Sequence, residues 1–306
     1  MKKNASKLTL KNLEDILPVK VIRDSSFITP GFLSDPQNGM IVFLEDVKYL
    51  DDLKNTPGVS CVLTTEELAG RLPQIPGVAI CAEPRRSFFD LHNRLALKTD
   101  FYWTDFPTEI NPSARIHQRA CIAEKNVRIG PDTVIGPNVT IEERCLIGSS
   151  VTIRAGVVLG SIGFQSSRTA AGMMDMVHAG GIIIRDHVEI LSNAVVAVAV
   201  FRQFTTVGAG SRIGNTVFLS HNVQVGLRCF VGHGSVVNGN VRLGDDVWIG
   251  PGAVLVNNIT LGDGAQVSLG GTVTTDVHAG ERVTGMLAID HKKMMRHIKS
   301  LKQEPS

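Results

Sequence analysis

Histidine is the residue type in this chain best suited to acid–base chemistry. Its side chain titrates near neutral pH and can accept a proton from an amine or hydroxyl nucleophile. The main candidate is His221, in the segment LSHNVQVG at Leu219–Gly226. It could act as a general base, or it could be a corner histidine that only hydrogen-bonds a neighbouring carbonyl. His233 is a weaker candidate because it is 12 residues away, and His178 and His187 could have either a substrate role or an ordinary surface role.

Other catalytic chemistries find less support in the sequence. A zinc site needs several ligands within reach of one ion, and no second histidine recurs near His221 at an equivalent position of the repeat described next. Cys229 has no nearby histidine that would activate it as a nucleophile. Phosphate loops of the GxxxxGK[ST] type are absent. We therefore expect no metal and no cofactor.

A repeat of six residues positions His221. An aliphatic residue occurs at every sixth position from Val207 to Val273, a period typical of a solenoid with three hexads and eighteen residues per coil. Residues eighteen apart then stack at one corner. Gly239 and Asn257 are the equivalents of His221, so we expect open space above its ring.

The same period continues upstream, and residues 106–280 are predicted to form the solenoid. Two interruptions occur, at residues 161–181 and at Phe201–Thr206. Residues 161–181 are predicted to be a long loop leaving one corner. Such excursions from a regular scaffold are usually functional, although a disordered insertion is the alternative.

The flanking segments lack this period. Residues 1–105 combine short apolar runs (Met40–Phe43, Val59–Leu63, Val78–Cys81) with helical patterns (Leu8–Ile16, Ser87–Ala96) and predict an α/β domain. Residues 281–306 predict a basic helical tail. It would suit an acidic protein partner or simply cap the solenoid.

Composition limits the class of protein. The chain has 306 residues, 31 Lys plus Arg against 29 Asp plus Glu, and a net charge of +2, which argues against a general nucleic-acid binder. Five cysteines without a CxxC pair indicate a reducing compartment. The start has no signal-peptide core, and no apolar stretch is long enough to cross a membrane. We expect a cytoplasmic protein.

The residues then reveal a resemblance. The order of an α/β domain, a hexapeptide solenoid and a basic tail resembles the UDP-3-O-(3-hydroxyacyl)glucosamine N-acyltransferases of lipid A biosynthesis. LSHNVQVG is similar to that family's catalytic I-A-H-N-V-x-I-G. IVFLEDVKYL, residues 41–50, resembles its uridine-binding run, and GSIGF, residues 160–164, resembles its G-x-D-G-F loop.

This resemblance implies a mainly β fold, a left-handed parallel β-helix, assembled as a homotrimer with active sites between neighbouring chains. It implies that His221 is the general base, that backbone donors hold the oxyanion, and that Phe43 and Tyr49 sandwich the uracil. The acyl donor would be a 3-hydroxyacyl group on acyl carrier protein. The acceptor would be the 2-amine of a UDP-3-O-acyl-glucosamine. Further contacts are expected to the substrate at Asn222, Asn215, Gly163 and Asn258, and to the carrier at Lys292, Lys293 and Arg296.

Several positions depart from the family pattern. Ile162 replaces the loop aspartate, Gly214 precedes Asn215 where the family has Asp-Asn, and Asn258 stands where a second histidine is often found. VVAVAVFRQF, residues 195–204, replaces a polar stretch. Two alternatives therefore stay open: an acetyl-CoA or short-acyl transferase acting on another nucleotide-linked amino sugar, and an inactive trimeric relative that binds nucleotide sugars.

Overall fold

The N-terminal part of the chain forms an α/β unit. The computed structural model describes residues 8–169, 172–285 and 290–301. A five-stranded sheet has the order Lys20–Arg23, Gly77–Ile80, Val59–Thr64, Met40–Leu44, Thr29–Pro30, with only Lys20–Arg23 antiparallel to its neighbour. The helices of this part are Lys11–Glu14, Leu50–Asn55, Glu66–Ala69 and Pro84–Lys98, with a 3-10 turn at Val47–Tyr49.

The predicted elements of this part are largely present. Ser87–Ala96 lies within the helix Pro84–Lys98, whose apolar side packs on the sheet through Phe88 and Leu91. The prediction of one helix over Leu8–Ile16 is wrong at its start. Leu8–Thr9 is a short strand paired with Ser26–Phe27, and the helix begins only at Lys11.

The solenoid that follows has three parallel sheets, one per face. Face 1 contains Glu109–Ile110, Val127–Ile129, Cys145–Ile147, Gly181–Ile184, Phe204–Val207, Gln224–Val225, Arg242–Leu243 and Thr260–Leu261. Face 2 contains Arg115–Ile116, Val134–Ile135, Thr152–Ile153, Glu189–Ile190, Arg212–Ile213, Phe230–Val231, Trp248–Ile249, Gln266–Val267 and Arg282–Val283. Face 3 contains Cys121–Ile122, Thr140–Ile141, Val158–Ser161, Val195–Ala197, Phe218–Leu219, Val236–Val237, Val254–Leu255 and Thr272–Val273.

The six-residue period of the sequence follows from the arrangement of short strands on the three faces of the solenoid. In a strand of two residues, one side chain points out and the next points in, because successive side chains alternate across a sheet. The inward residue is the repeated aliphatic one: from Val207 to Val273 all twelve are buried. Ile110, in the first coil, is exposed because no coil lies below it.

The two interruptions of the period have definite structures. Within residues 161–181, Ser166–Thr169 pairs antiparallel with Gly172–Asp175, so the predicted loop contains a hairpin. At the second interruption, Val200 and Phe201 leave the solenoid and pack in the same apolar cluster as Phe88 of the N-terminal part. The end of the apolar stretch VVAVAVF thus packs against the N-terminal part, whereas its beginning belongs to face 3 and the solenoid core.

The described residues of the predicted tail form two elements: the strand Arg282–Val283, which extends face 2 of the solenoid beyond residue 280, and the helix His291–Leu301. The remaining tail residues 286–289 and 302–306 lie outside the described residues, as do residues 1–7 and 170–171. None of the helices in the described ranges is both long and apolar enough to cross a membrane.

Candidate active site

His221 lies at the corner between face 3 and face 1, directly after the strand Phe218–Leu219. Its ring rests over Gly239 of the next coil. A Cβ atom on Gly239 would lie 2.4 Å from Cε1 and 2.5 Å from Nε2 of His221. The stacking predicted from the eighteen-residue coil therefore holds, and the missing side chain of Gly239 makes room for the imidazole.

A pocket of about 590 Å³ opens beside this ring. The loop after face 3 forms one wall, and the corner residues of three successive coils form the other. Two loop residues at its rim, Ile162 and Phe164, are strongly exposed. The lining combines polar and apolar residues: Ile162, Gly163, Phe164, Gln165, Ser166, Asp175, Met176, His178, Phe218, Ser220, His221, Asn238, Gly239 and Asn257.

His178 faces His221 across this pocket. The two ring centroids are 5.9 Å apart at an interplanar angle of 68°. The backbone N–H of Gly163 donates to Nε2 of His178 at 3.3 Å. Nε2 is thus an acceptor, which leaves the proton of the neutral ring on Nδ1. Of the three other histidines considered, His178 is the one that lines the pocket.

Burial keeps both rings neutral. It lowers the pKa of His221, and the negative charge of Asp35 opposes this shift. Burial, together with His221 and His92, lowers the pKa of His178 to about 4. Nδ1 of His221 is buried and has no hydrogen-bond partner among the described residues. At neutral pH the ring of His221 is therefore an uncharged base with a free lone pair.

Asn222, which was predicted to contact the substrate, lies outside the lining of this pocket. Its side chain is 6% exposed. The amide oxygen accepts from the N–H of Val200 at 3.2 Å, and the amide nitrogen donates to Asp35 at 2.9 Å and to Gln203 at 2.7 Å. Both amide N–H groups and the amide oxygen are thus bonded within the protein, and Asn222 does not line the pocket.

Asn215 and Asn258 also lie outside the pocket lining. The N–H of Asn215 donates to Nδ1 of His233 at 2.9 Å, at a corner that follows face 2. Asn258 accepts from Nδ2 of Asn240 at 2.8 Å. Asn238 and Asn257 line the pocket instead. Asn257 is the stacked equivalent of His221, and that spacing was the signal that could have identified it.

The predicted uridine residues lie in different surroundings. Phe43 is half-buried, with its ring 5.2 Å from that of Phe88 and 6.4 Å from that of Phe32. The guanidinium of Arg85 lies over the Phe43 ring at 5.4 Å. Tyr49 is 42% exposed, with the ammonium of Lys48 4.9 Å from its ring centre. The described contacts do not bring these two rings against each other.

The predicted carrier-binding residues Lys292, Lys293 and Arg296 are exposed on the helix His291–Leu301. Positions 292 and 296 are four apart and 293 and 296 three apart, so they share one side of the helix. His187 and His233 are exposed away from the pocket. No group of three or more potential metal ligands occurs within residues 8–169, 172–285 and 290–301.

Comparison with known proteins identifies the repeat. A family model described as bacterial transferase hexapeptide (six repeats) matches residues 126–161. A second, hexapeptide repeat of succinyl-transferase, matches residues 222–256 and 240–275. These matches and the three parallel sheets confirm the predicted mainly β fold, a parallel β-helix of hexapeptide repeats, and its left-handedness stays a prediction.

Two relatives carry the same name. The chain is 38% identical over 122 residues to a UDP-3-O-acylglucosamine N-acyltransferase of Anaeromyxobacter sp., covering 38% of this chain and 34% of that protein. It is 28% identical over 220 residues to the Coxiella burnetii enzyme of that name, covering 63% of each. The chain thus matches about a third of the length of the first relative and under two thirds of the second.

Solved structures include a UDP-N-acetylglucosamine acyltransferase from Francisella novicida. It is 21% identical, has a TM-score of 0.49, and covers 61% of this chain and 73% of its own. The chain therefore carries the hexapeptide repeat of bacterial transferases, and its sequence is similar to those of UDP-3-O-acylglucosamine N-acyltransferases.

Proposed function

We propose that this chain is an N-acyltransferase. It moves a 3-hydroxyacyl group from acyl carrier protein to the 2-amine of a UDP-3-O-acyl-glucosamine-type acceptor. The observation that carries this proposal is the neutral, buried imidazole of His221 in a pocket that is lined by both polar and apolar residues, with Ile162 and Phe164 exposed on the loop. The names of the sequence relatives support the same chemistry.

The residues of the pocket suit each step of this reaction. His221 removes a proton from the amine as its nitrogen attacks the thioester carbonyl. The new C–N bond forms, the C–S bond breaks, and the proton passes to the departing thiolate. The backbone N–H of Gly239 has no hydrogen-bond acceptor among the described residues and is available to stabilise the oxyanion. The apolar rim suits the acyl chain, and Ile162 in place of an aspartate extends that rim.

Substrate-binding roles are assigned accordingly. Gly163, Asn238 and Asn257 line the pocket and are proposed to contact the acceptor. Asn222 is proposed to act indirectly, by holding the corner that carries His221. The proposal places the uridine domain at residues 1–105, the acyltransferase domain at 106–280 and the partner-binding tail at 281–306.

A homotrimer is part of this proposal. The outward residues of face 3 form an apolar row beside the His221 corner: Val158, Val195, Phe218, Val236 and Val254. In a single chain they are only partly covered. A neighbouring copy would bury them and close the open side of the pocket. A cytoplasmic setting also belongs to the proposal, because all five cysteines are free thiols.

Replacing Tyr49 by alanine is expected to weaken UDP binding roughly tenfold or more. Stacking of an aromatic ring on a base contributes about 1–3 kcal/mol, and Tyr49 is exposed, with the Lys48 ammonium on one side of its ring. Phe43→Ala should weaken binding similarly, with some loss of stability because its ring also packs on Phe88. Calorimetric titration with UDP measures the effect. Phe230→Ala removes another exposed aromatic ring and is the control; equal UDP affinity in all variants would contradict the uridine role.

The donor is tested by comparing acyl carrier protein with acyl-CoA. Lys292, Lys293 and Arg296 provide a basic surface, and opposite charges mainly accelerate encounter. Reversing all three to Glu is expected to raise the KM for 3-hydroxyacyl carrier protein at low salt, with UDP affinity unchanged. The difference should shrink at 1 M salt, where the Debye length is about 3 Å. Steady-state rates at two ionic strengths measure this.

A triple variant with the same charge change away from the tail, Lys11, Lys20 and Arg71 to Glu, is the control. If the tail variant used the acyl carrier protein donor normally, the tail would only cap the end of the solenoid and would not bind the carrier. Preference of the wild type for free acyl-CoA would support a CoA-dependent transferase instead. Binding of the UDP-sugar without turnover of either donor would identify an inactive relative.

A further inference from the structure

A buried carboxylate from the N-terminal part of the chain reaches the His221 corner. Asp35 is 5% exposed and lies in the segment between the strands Thr29–Pro30 and Met40–Leu44. Its N–H donates to the carbonyl of Phe32 at 3.0 Å, which closes a tight turn. Burying a carboxylate is costly unless charged or polar partners replace its water. The groups that bond to the Asp35 carboxylate therefore indicate which part of the structure this residue stabilises.

The hydrogen-bond partners of the Asp35 carboxylate come from three successive coils of the solenoid. One carboxylate oxygen, Oδ2, accepts from Nδ2 of Asn222 at 2.9 Å and from the side-chain amide of Gln203. The other, Oδ1, accepts from the guanidinium of Arg242 at 2.9 Å. Asn222 and Gln203 are also bonded to each other. One side chain of the N-terminal part thus holds three coils together.

The central partner of Asp35 is the neighbour of the proposed base. Asn222 follows His221 directly and has a φ of 59°, a left-handed conformation that asparagine tolerates better than most residues. Its own N–H donates to Oγ1 of Thr205 at 3.0 Å. These contacts fix the backbone from which the His221 ring extends over Gly239. Because Asn222 is joined to His221 by one peptide bond, a change at Asp35 that displaces Asn222 should also displace the His221 ring.

We propose that Asp35 is a positioning residue for His221: its carboxylate clamps Asn222 and sets both the orientation and the electrostatic environment of the imidazole. The same turn contains Phe32, whose ring contacts Phe43 at 6.4 Å. The turn that carries the carboxylate therefore also packs against one of the proposed uridine residues. This inference rests on the proposed function of His221 as the base, but its geometry does not depend on the identity of the substrate.

The charged and titratable groups around His221 come from three elements. Asp35 belongs to the N-terminal part, His178 and Asp175 to the loop after face 3, and Arg242 pairs with Asp35 from face 1. The negative charge of Asp35 raises the pKa of His221 against the lowering effect of burial. Removing that charge while keeping the amide-sized shape should therefore lower the pKa of His221 further.

Asp35→Asn is the test variant, and the His221 ring titration followed by NMR is the primary measurement. We expect the His221 pKa to fall, kcat to fall about tenfold, and the KM for the UDP-sugar to stay within about twofold. Asp105→Asn removes a carboxylate that bonds Lys125 and Asn126 several coils away, and it should change neither the His221 pKa nor kcat. A purely structural loss at Asp35 would not move the pKa in a defined direction.

Arg242→Gln is the second variant, for the case that Asp35→Asn does not fold. Arg242 is half exposed, so its replacement disturbs packing little, and it leaves the Asp35 charge uncompensated. We expect the His221 pKa to rise. An unchanged His221 pKa in the folded variants would overturn the positioning role. Absence of acyl transfer by the wild type would overturn the proposed function alone, because the ring titration needs no turnover.

Discussion

Replacing His221 by alanine is expected to lower kcat by about 10²–10⁴, the range typical of losing a positioned general base. The fold should be retained, because the ring lies at a corner, outside the stacked aliphatic core. Affinity for the UDP-sugar should change little, since the base acts on the proton and not on the nucleotide. Single-turnover rates and calorimetric titration together separate these two quantities.

The pH dependence of the wild type checks the same assignment. Burial lowers the pKa of His221 below its ordinary value, so the neutral, basic form is present at pH 7. The value of kcat/KM should therefore decline only as the pH falls through that lowered pKa. The His221→Ala enzyme should lack this acid limb.

His233→Ala is the matched control, because His233 is also a corner histidine but lies outside the pocket. It should keep the wild-type rate. A His221→Ala variant with a near-normal rate would remove His221 from the mechanism.

Replacing Gly239 by alanine is expected to lower kcat by about 10–10² while leaving the melting temperature nearly unchanged. The added Cβ would lie within 3.0 Å of three atoms of the His221 ring. The ring is the far end of a side chain, so it can swing away with little strain on the fold. A displacement of about 1 Å at a reacting group is enough for a loss of this size.

Gly70→Ala is the control for this change. Its added Cβ has nothing within 4 Å and the backbone is not in the left-handed region, so the variant should be fully active. Thermal unfolding and steady-state kinetics measure both effects. A Gly239→Ala enzyme with normal kcat would mean that the orientation of the ring over Gly239 is not the reactive one.

The local arrangement of the solenoid was predictable because its geometry is periodic. Eighteen residues return the chain to the same corner, so spacing alone places Gly239 and Asn257 under His221. Burial of the inward aliphatic residues follows from the same period. The sequence thus predicted the contacts between residues that lie eighteen positions apart in successive coils.

Contacts between the solenoid and segments outside the repeat could be identified only from the tertiary structure. Asp35 reaches Asn222 across 187 residues, and neither residue carries a local signal of the other. His178 enters the pocket because the hairpin Ser166–Thr169 with Gly172–Asp175 folds its loop back toward His221.

The lowered pKa of His221 likewise required the fold, since it depends on burial by neighbours from distant segments. A periodic sequence thus determines what lies above and below each residue in the solenoid. What faces His221 from the side depends on long-range packing, which a pattern of six residues does not encode.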